Sequence, residues 1–458
     1  MAQQVNPRIF RQYDVRGVVD DDLTESVAEE LGKGYGAFMR HQGKQKVSVG
    51  YDARPSSPGF RDALIKGILS TGIDIVNVGM LPTPTFYFSL FHLEVEGGVM
   101  ITGSHNPPEF NGFKLAVGRT TIYGDEIQKV RKIIEAADYP RGVGQLEQQD
   151  VKPAYLETLK ERIGPFQKKV KLIVDAGNGV AGMFCPQLLQ DLGAEAHGLY
   201  CEVDGTFPNH HPDPTVPANL TDLIARVMEE KADLGMAYDG DGDRLGVVDE
   251  EGNIIWGDQL LILFSREILA RQPGAPIIFE VKCSQALAEE IEKAGGVPIM
   301  WRTGHSFIKK KMREENSPLA GEMSGHLFFA DEYYGYDDAI YASLRLVRLL
   351  SRSDKSIREM LADVPKYYST PEIRVDCPDE EKFQVVAALT EHFKKRYEVV
   401  DVDGARILFG DGWGLVRASN TQPVLVLRFE AKTPERLDEI QQIVLSKLKE
   451  MTSLEISI

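Results

Sequence analysis

Apolar and polar runs alternate along the chain in a pattern that predicts three strand–helix–strand units. In each unit an apolar run ends in a carboxylate, a helical run follows, and glycine precedes a second apolar run. These runs cover residues 46–51, 58–70 and 73–78, then 171–174, 181–192 and 195–200, then 276–279, 284–293 and 297–301. This order is typical of parallel βαβ construction and predicts three related α/β domains.

A later apolar run in each unit leads directly into a polar loop. The runs 98–102, 234–238 and 318–320 precede loops that begin at Gly103, Asp239 and Gly321. Open α/β sheets bind ligands outside the carboxyl ends of their strands. The three loops therefore predict one shared site.

The pattern changes from about residue 367 onward. Short β-like runs surround one helical run and precede another at 434–449; they cover residues 373–375, 398–402, 405–409, 414–417 and 424–429. Strands with helices at the ends indicate a smaller α+β domain.

Composition and charge narrow the class of ligand. The chain has 458 residues and a net charge of −17, which argues against nucleic acid or an anionic membrane as partner. Four scattered cysteines without a Cys-x-x-Cys pair fit a reducing compartment. The N-terminal residues lack a signal-peptide pattern, and the apolar runs are far too short to span a bilayer. We expect a cytoplasmic protein with small-molecule ligands.

The loop at residues 239–244 carries three closely spaced carboxylates, Asp239, Asp241 and Asp243. Such carboxylates repel one another unless a hard cation such as Mg²⁺ or Ca²⁺ joins them, although a solvated acidic turn is the alternative. An EF-hand is rejected, because its sixth position requires glycine and is Arg244 here, and because the flanks resemble strands. A Gly-x-Gly-x-x-Gly match at 177–182 is a weak dinucleotide signal, and we favour a tight turn there.

Ser104 stands at the tip of an apolar run, in the stretch Gly103-Ser104-His105-Asn106-Pro107-Pro108. Read alone, this stretch is either a structural turn or a rigidly presented nucleophile.

Two further loops carry groups suited to a sugar phosphate. A loop with Arg417, Ser419, Asn420 and Thr421 suits a phosphate, although a capped turn is an equal reading. Residues 321–326 place Glu322, Ser324 and His326 between glycines, a set that suits vicinal sugar hydroxyls better than zinc. The His-rich segment 209–214 contains prolines and is interpreted as a stiff structural loop.

These loops, taken in order, resemble those of the α-D-phosphohexomutases, and the resemblance spans the whole chain. Residues 10–17, residues 336–339 and Asn420 make it most similar to the bacterial phosphomannomutase/phosphoglucomutase branch. Gln259 departs from the arginine that is frequent in this branch.

The resemblance implies an α/β fold with four domains around a central cleft. Three would be related mixed α/β sandwiches, and the fourth a C-terminal α+β domain like the TATA-binding protein. We expect the phosphoserine loop in 1–150, the metal loop in 151–253, the sugar loop in 254–366 and the phosphate-binding domain in 367–458.

The resemblance also implies the chemistry. Ser104 would carry the phosphoryl group, and glucose 1,6-bisphosphate would be intermediate and activator. Mg²⁺ would be held by Ser104 as its phosphate together with Asp239, Asp241 and Asp243. His105, Lys114 and Arg16 would assist catalysis. The implied substrate-binding residues are Tyr13, Arg244, Lys282, His305, Glu322, Met323, Ser324, Gly325, His326, Arg417, Ser419, Asn420 and Thr421.

Three questions stay open at the level of sequence. Phosphoglucosamine mutase would share the chemistry with a different sugar, and the preference between mannose and glucose cannot be read. A non-catalytic sugar-phosphate or calcium-binding protein is disfavoured, because it has no use for Ser104 and Lys114. The oligomeric state cannot be read either.

Overall fold

A computed structural model describes residues 5–420 and 422–452. The chain divides into two compact units. The first unit contains residues up to 260 together with 324–360, and the second contains 261–323 together with the residues from 361 onward. The four domain boundaries expected from sequence stay predictions, because a compact unit can hold more than one domain.

The elements up to residue 269 are mixed strands and helices. In chain order they are β1 (Val15–Val18), α1 (Glu25–His41), β2 (Lys46–Tyr51), α2 (Ser57–Leu69), β3 (Asp74–Met80), α3 (Thr83–His92), β4 (Gly97–Ile101), β5 (Phe110–Val117), β6 (Thr120–Thr121), α4 (Asp125–Ala136), β7 (Leu146–Gln148), α5 (Lys152–Ile163), β8 (Lys171–Asp175), α6 (Gln187–Asp191), β9 (Glu195–Leu199), α7 (Thr221–Glu230), β10 (Leu234–Tyr238), β11 (Leu245–Asp249), β12 (Ile254–Ile255) and α8 (Gly257–Leu269).

The later elements continue this numbering. They are β13 (Pro276–Glu280), α9 (Gln285–Lys293), β14 (Val297–Trp301), α10 (His305–Glu315), β15 (Leu319–Gly321), β16 (Leu327–Phe329), α11 (Ala339–Ser351), α12 (Ile357–Leu361), β17 (Tyr368–Ser369), β18 (Ile373–Asp376), α13 (Lys382–Phe393), β19 (Glu398–Val400), β20 (Ala405–Leu408), β21 (Gly412–Ala418), β22 (Val424–Ala431) and α14 (Pro434–Met451). Short 3-10 helices lie at Pro7–Ile9, Val180–Met183 and Pro217–Leu220.

The first sheet of the first unit has the strand order β1-β5-β4-β2-β3-β7, with β6 paired to β5. The central strands β4, β2 and β3 are parallel, whereas β5 runs antiparallel to both β1 and β4. Val47 and Val49 of β2 are buried in one core with Leu64 and Ile68 of α2. The predicted βαβ unit is therefore confirmed. Because its strands are parallel, their carboxyl ends all lie at the same end of the sheet.

The second sheet of the first unit has the order β12-β11-β10-β8-β9. Strands β8, β9 and β10 are parallel, and β10 forms an antiparallel hairpin with β11. The predicted helix over 181–192 is wrong in extent, because a 3-10 turn at Val180–Met183 precedes the short helix Gln187–Asp191. Pro186 explains the break, since proline has no N–H to continue a helix.

The second unit contains two sheets. Strands β14, β13 and β15 form a parallel arrangement in that order. The C-terminal strands form an antiparallel sheet of order β17-β22-β21-β20-β19, with β18 paired to β22.

The C-terminal sheet buries both of its faces. Leu427 and Phe429 pack with Leu389 of α13 and Val444 of α14, whereas residues on the other face, such as Trp413 and Leu415, pack with Val281 after β13. Successive side chains of β21 and β22 point to opposite faces of the sheet, so both faces carry apolar residues that become buried.

None of the helices within the described residues is long and apolar enough to cross a membrane.

Candidate active site

Ser104 lies three residues beyond the end of β4 and is almost fully buried. Its backbone has a φ of +52°, a left-handed conformation that is uncommon for a residue with a Cβ. The Ser104 N–H donates to Thr102 Oγ1 at 2.8 Å. The loop therefore presents this hydroxyl in one defined orientation.

The Ser104 hydroxyl contacts both His105 and the acidic loop. Its Oγ lies 3.1 Å from His105 Nδ1 and donates to Asp239 Oδ2 at 3.2 Å. Burial, together with the positive charges of Arg244 and Arg16, lowers the pKa of His105 well below its usual value. His105 is thus neutral near pH 7 and can exchange a hydrogen bond with the hydroxyl.

The acidic loop is the turn of the β10–β11 hairpin. Asp239 Oδ1 accepts the backbone N–H groups of Asp243 at 3.0 Å and Arg244 at 3.1 Å, which fixes the turn. A Cβ at Gly240 would lie 2.6 Å from the Ser104 carbonyl oxygen, so glycine permits the close approach of this loop to Ser104. The flanking strands confirm that the loop is not an EF-hand.

Asp239, Asp241 and Asp243 bring their ligand atoms within 4.8 Å of one another, and all three side chains are fully buried. Burial, and next the charges of Asp243 and Asp241, raise the pKa of Asp239 well above its usual value. Burial also favours a raised pKa at Asp243, but Lys114 and His326 outweigh it and hold this pKa well below the usual value. The cluster therefore attracts cations.

Lys114 on β5 supplies one of these cationic groups. Its Nζ lies 3.0 Å from Asp241 Oδ2 and 2.5 Å from Asp243 Oδ2. Burial disfavours the charged amine, but the two carboxylates outweigh it and raise the pKa of Lys114 well above its usual value. Lys114 is thus a fixed positive charge.

The residues present fit a bound divalent cation. Asp241 Oδ2 accepts from Thr83 Oγ1 at 2.6 Å and from Lys114, whereas the buried Asp241 Oδ1 has no hydrogen-bond partner among the described residues. A buried carboxylate oxygen without a donor is costly unless a ligand satisfies it. Three carboxylates also match the oxygen ligands that Mg²⁺ and Ca²⁺ prefer.

Other predicted residues of the first unit surround this cluster. His326 Nε2 lies 3.0 Å from Asp243 Oδ1 and 3.1 Å from Arg244 Nε. Gly325 accepts the Leu245 N–H through its carbonyl, at 3.1 Å. The structure thereby brings His326, Gly325 and, next in the chain, Ser324 to the end of the acidic hairpin.

Arg16 and Tyr13 lie at the first strand of the same unit. Arg16 is on β1, opposite Gly112 of β5, and its Nη2 pairs with Asp14 Oδ2 at 2.7 Å. Because residues 112 and 114 share a face of β5, Arg16 lies on the same face of the sheet as Lys114. Tyr13 lies two residues before β1 and is partly buried.

In the second unit, Lys282 follows β13 and is held between two carboxylates. Its Nζ lies 3.0 Å from Glu372 Oε2 and 3.5 Å from Glu280 Oε1. Lys282 is the main cause that lowers the pKa of Glu372 to about 2. Glu280 also accepts the Met323 N–H at 3.1 Å, which ties the predicted sugar loop to β13.

Glu322 is anchored at the start of α10, whose first residue is His305. Glu322 is buried and its Oε1 accepts the Gly304 N–H at 2.6 Å, immediately before His305 at the first position of the helix.

Arg417 lies on β21 and is buried. Its Nε donates to Asp403 Oδ2 at 2.9 Å, and the same oxygen accepts the Thr303 N–H at 3.0 Å. Thr303 in turn donates through Oγ1 to Glu280 at 2.5 Å. A continuous polar chain therefore links Arg417 to the strand that precedes Lys282.

The predicted phosphate loop is only partly described. Ser419 Oγ accepts the Gln422 N–H at 3.2 Å, and Asn420 Nδ2 is buried without a hydrogen-bond partner within residues 5–420 and 422–452. Thr421 lies outside the described residues.

Several residues that support the site were missed from sequence. They lack a local motif and are Asp14, Arg54, Thr83, Thr102, Glu280, Glu372 and Asp403. Asp14 and Thr102 contact residues two positions away, whereas the others act through residues distant in the chain. Of these residues, only Glu280 could have been suspected from the sequence, because it stands at the end of an apolar run.

The other motifs take structural roles. The glycine-rich turn at 177–182 leads into a 3-10 helix, and its Val180 N–H donates to Gly240 at 3.2 Å, so the turn packs on the acidic loop. His210 Nε2 lies 3.0 Å from Asp175 Oδ2, as expected of a stiff loop. Gln259 Oε1 accepts the Trp256 N–H at 3.0 Å at the start of α8.

The mixed α/β sheets, with the serine and acidic loops at their strand ends, define a protein of the α-D-phosphohexomutase class. Family models for phosphoglucomutase/phosphomannomutase match four successive parts of the chain: alpha/beta/alpha domain I at residues 7–141, domain II at 153–252, domain III at 256–368 and the C-terminal domain at 372–447. The chain belongs to the phosphoglucomutase/phosphomannomutase family, which confirms the resemblance seen in the sequence.

Individual relatives agree with this membership. The chain is 48% identical to the phosphomannomutase/phosphoglucomutase of Pseudomonas aeruginosa, over 97% of this chain and 96% of that protein. It is 43% identical to the phosphoglucomutase of Neisseria gonorrhoeae, over 94% and 95%. A crystal structure of a phosphoglucomutase/phosphomannomutase family protein from Burkholderia thailandensis superposes with a TM-score of 0.92 at 43% identity, covering 99% of this chain and 100% of that one.

Proposed function

We propose that the protein is a phosphohexomutase that moves a phosphoryl group between the 1- and 6-positions of mannose or glucose phosphates. Ser104 carries the phosphoryl group, and a hexose 1,6-bisphosphate is the intermediate. The observation that carries the proposal is the Ser104 hydroxyl, 3.2 Å from Asp239 within a buried cluster of three carboxylates and Lys114. The named activities of the relatives support it.

The first half-reaction passes the phosphoryl group from Ser104 to the sugar. The bond from phosphorus to Ser104 Oγ breaks as a sugar hydroxyl oxygen bonds to phosphorus. The hydroxyl proton passes to a neighbouring base, and Ser104 Oγ takes up a proton to become a hydroxyl. His326 is the candidate that can accept this proton in its neutral form, whereas Lys114 and Arg16, the other two candidates, are cations that can only donate a proton or compensate charge. In the second half-reaction the other phosphate of the bisphosphate returns to Oγ, which restores phosphoserine and leaves the isomerised monophosphate.

The residues around Ser104 position this exchange. Lys114 and Arg16, on one face of the first sheet, neutralise oxygens of the transferring phosphoryl group. We propose Mg²⁺ as the metal, held by Asp239, Asp241 and Asp243; when bound, it neutralises charge on that phosphoryl group. Phosphoryl transfer depends mainly on such positioning and charge compensation.

The second unit carries groups that suit a sugar phosphate. Arg417, Ser419 and Asn420 offer donors for the phosphate that is not being transferred, and the buried amide of Asn420 is available for such a ligand. Glu322 of this unit, and Ser324 of the first unit, are groups that suit sugar hydroxyls. Hexose phosphates are thus the partners we propose, in the cytoplasm.

A coupled assay tests the substrate class. With Mg²⁺ and trace glucose 1,6-bisphosphate, we expect turnover of mannose 1-phosphate or glucose 1-phosphate to exceed that of glucosamine 1-phosphate. A preference for glucosamine 1-phosphate would make the protein a phosphoglucosamine mutase, and no turnover of any of the three would leave a non-catalytic binding protein.

The Arg417→Ala variant tests the phosphate clamp. A charge-assisted contact of this kind contributes about 1.5–3 kcal/mol, so we expect KM to rise about 10- to 150-fold. The bisphosphate must bind this clamp again after it turns, so the variant should also require more added glucose 1,6-bisphosphate. Arg436→Ala, which removes a half-buried arginine paired with Asp411, is the matched control. Identical KM values and activation curves for wild type and Arg417→Ala would refute the clamp.

A further inference from the structure

Arg54 is wholly buried and binds the backbone of the Ser104 loop at four points. Its Nη2 donates to the carbonyl oxygens of Ser104 at 2.7 Å and Asn106 at 2.5 Å. Its Nη1 donates to those of Pro107 at 2.5 Å and Phe110 at 2.9 Å. One guanidinium therefore holds the loop from Ser104 to the first residue of β5.

The guanidinium is itself held in place from three sides. Asp52 Oδ2 accepts from Arg54 Nε at 3.2 Å and also from the Gly103 N–H at 3.3 Å. The Phe207 ring lies 5.3 Å from the guanidinium carbon, within reach of a cation–π contact. A Cβ at Gly103 would lie 2.5 Å from that carbon, so the guanidinium packs directly on the loop backbone.

This arrangement explains how the loop keeps an unfavourable conformation. The left-handed conformation is unfavourable for a residue with a Cβ, and Ser104 has a φ of +52°. The Ser104 carbonyl turns toward Arg54, which fixes the peptide plane after Ser104, while the bond from the Ser104 N–H to Thr102 Oγ1 fixes the plane before it. The direction of the Ser104 Cα–Cβ bond, and with it the line of attack at Oγ, follows from those planes.

We propose that Arg54 is a positioning residue for phosphoryl transfer, an inference that rests on the proposed function. It holds the Ser104 loop so that Oγ, phosphorus and the sugar oxygen lie in line. Only a guanidinium presents five N–H donors in a rigid planar fork, and lysine offers three donors from a single point. Lysine therefore retains the charge but cannot reach four carbonyl groups.

The Arg54→Lys variant separates positioning from charge. Misplacement by about 1 Å can reduce a rate about 100-fold, so we expect kcat to fall by about that factor while KM changes little. Phosphorylation of Ser104 by glucose 1,6-bisphosphate, followed by intact mass, should slow in parallel.

Arg345→Lys is the matched control. Arg345 is also wholly buried in the first unit, and its guanidinium pairs with Asp331 at 3.0 Å. This variant removes an equally buried guanidinium, so we expect loss of thermal stability with kcat near that of the wild type. Equal loss of kcat in both variants would mean that Arg54 acts only through general stability.

Asp52→Asn provides a second, milder variant should Arg54→Lys not fold. The substitution keeps the volume and removes the charge that holds the guanidinium, so we expect an intermediate loss of kcat. Wild-type kcat in a folded Asp52→Asn variant, with Arg54→Lys unfolded, would overturn the positioning role.

Hydrogen exchange distinguishes this inference from the proposed function. We expect the amides of residues 103–111 to lose protection in Arg54→Lys and to keep it in Arg345→Lys, whatever the wild type catalyses. Unchanged protection, or lost protection with unchanged kcat, would overturn the role of Arg54. An inactive wild type would overturn the proposed function alone.

Discussion

Replacement of Ser104 by alanine should abolish nearly all mutase activity and leave the fold intact. Alanine removes the oxygen that carries the phosphoryl group, and the loss of a nucleophile can cost up to about a million-fold in kcat, so we expect at least about 1000-fold here. Wild-type protein should carry about 80 Da of added mass from one phosphate, and the variant should not. Coupled assays and intact mass measure both effects.

Ser89→Ala is the control for this prediction. Ser89 is a fully buried serine of the first unit whose Oγ donates to the Phe86 carbonyl at 2.6 Å, away from the acidic loop. It should retain wild-type turnover and phosphorylation. Substantial turnover by a folded Ser104→Ala protein would mean that phosphate does not pass through Ser104.

The second large effect is expected for Asp241→Asn. Asparagine preserves the shape but removes a negative charge that contacts Lys114 and leaves one oxygen for a cation. Electrostatic groups aimed at a transition state are often worth about 100- to 1000-fold, and we expect a loss of kcat in that range with little change in KM. The Mg²⁺ concentration for half-maximal activity should rise.

Asp249→Asn is the matched control for the acidic loop. Asp249 is a buried carboxylate at the far end of the same hairpin, where it accepts the backbone N–H groups of Glu251 and Asn253. It should alter stability without altering the Mg²⁺ dependence. If Asp241→Asn instead raised KM and kept kcat, the loop would bind substrate and the metal assignment would be wrong.

The sequence predicted most parallel strands because each is a short apolar run bounded by a charged residue or glycine. The run at 46–51 coincides with β2, and 234–238 coincides with β10. The helix predicted over 181–192 was too long. The apolar spacing of this segment fits a helix, but Pro186 has no N–H to donate to the helical hydrogen-bond pattern.

Some residues of the candidate site could be predicted from local sequence spacing, and others are brought there only by the packing of distant segments. Asp239, Asp241 and Asp243 come together because one tight turn holds all three, so their spacing alone predicted the cluster. Thr83 and Arg54 contact the site across 158 and 50 residues of sequence, respectively. Their roles depend on how the sheets pack, and no spacing in the sequence encodes that.

Transfer of a labelled phosphoryl group from Ser104 tests the central claim most directly. Enzyme labelled with ³²P at Ser104 is mixed with one equivalent of unlabelled glucose 1-phosphate and Mg²⁺, and protein and sugar are separated after one turnover. We expect the label to leave the protein and appear in glucose 1,6-bisphosphate and glucose 6-phosphate. Formation of glucose 6-phosphate while the label stays on the protein would contradict the account.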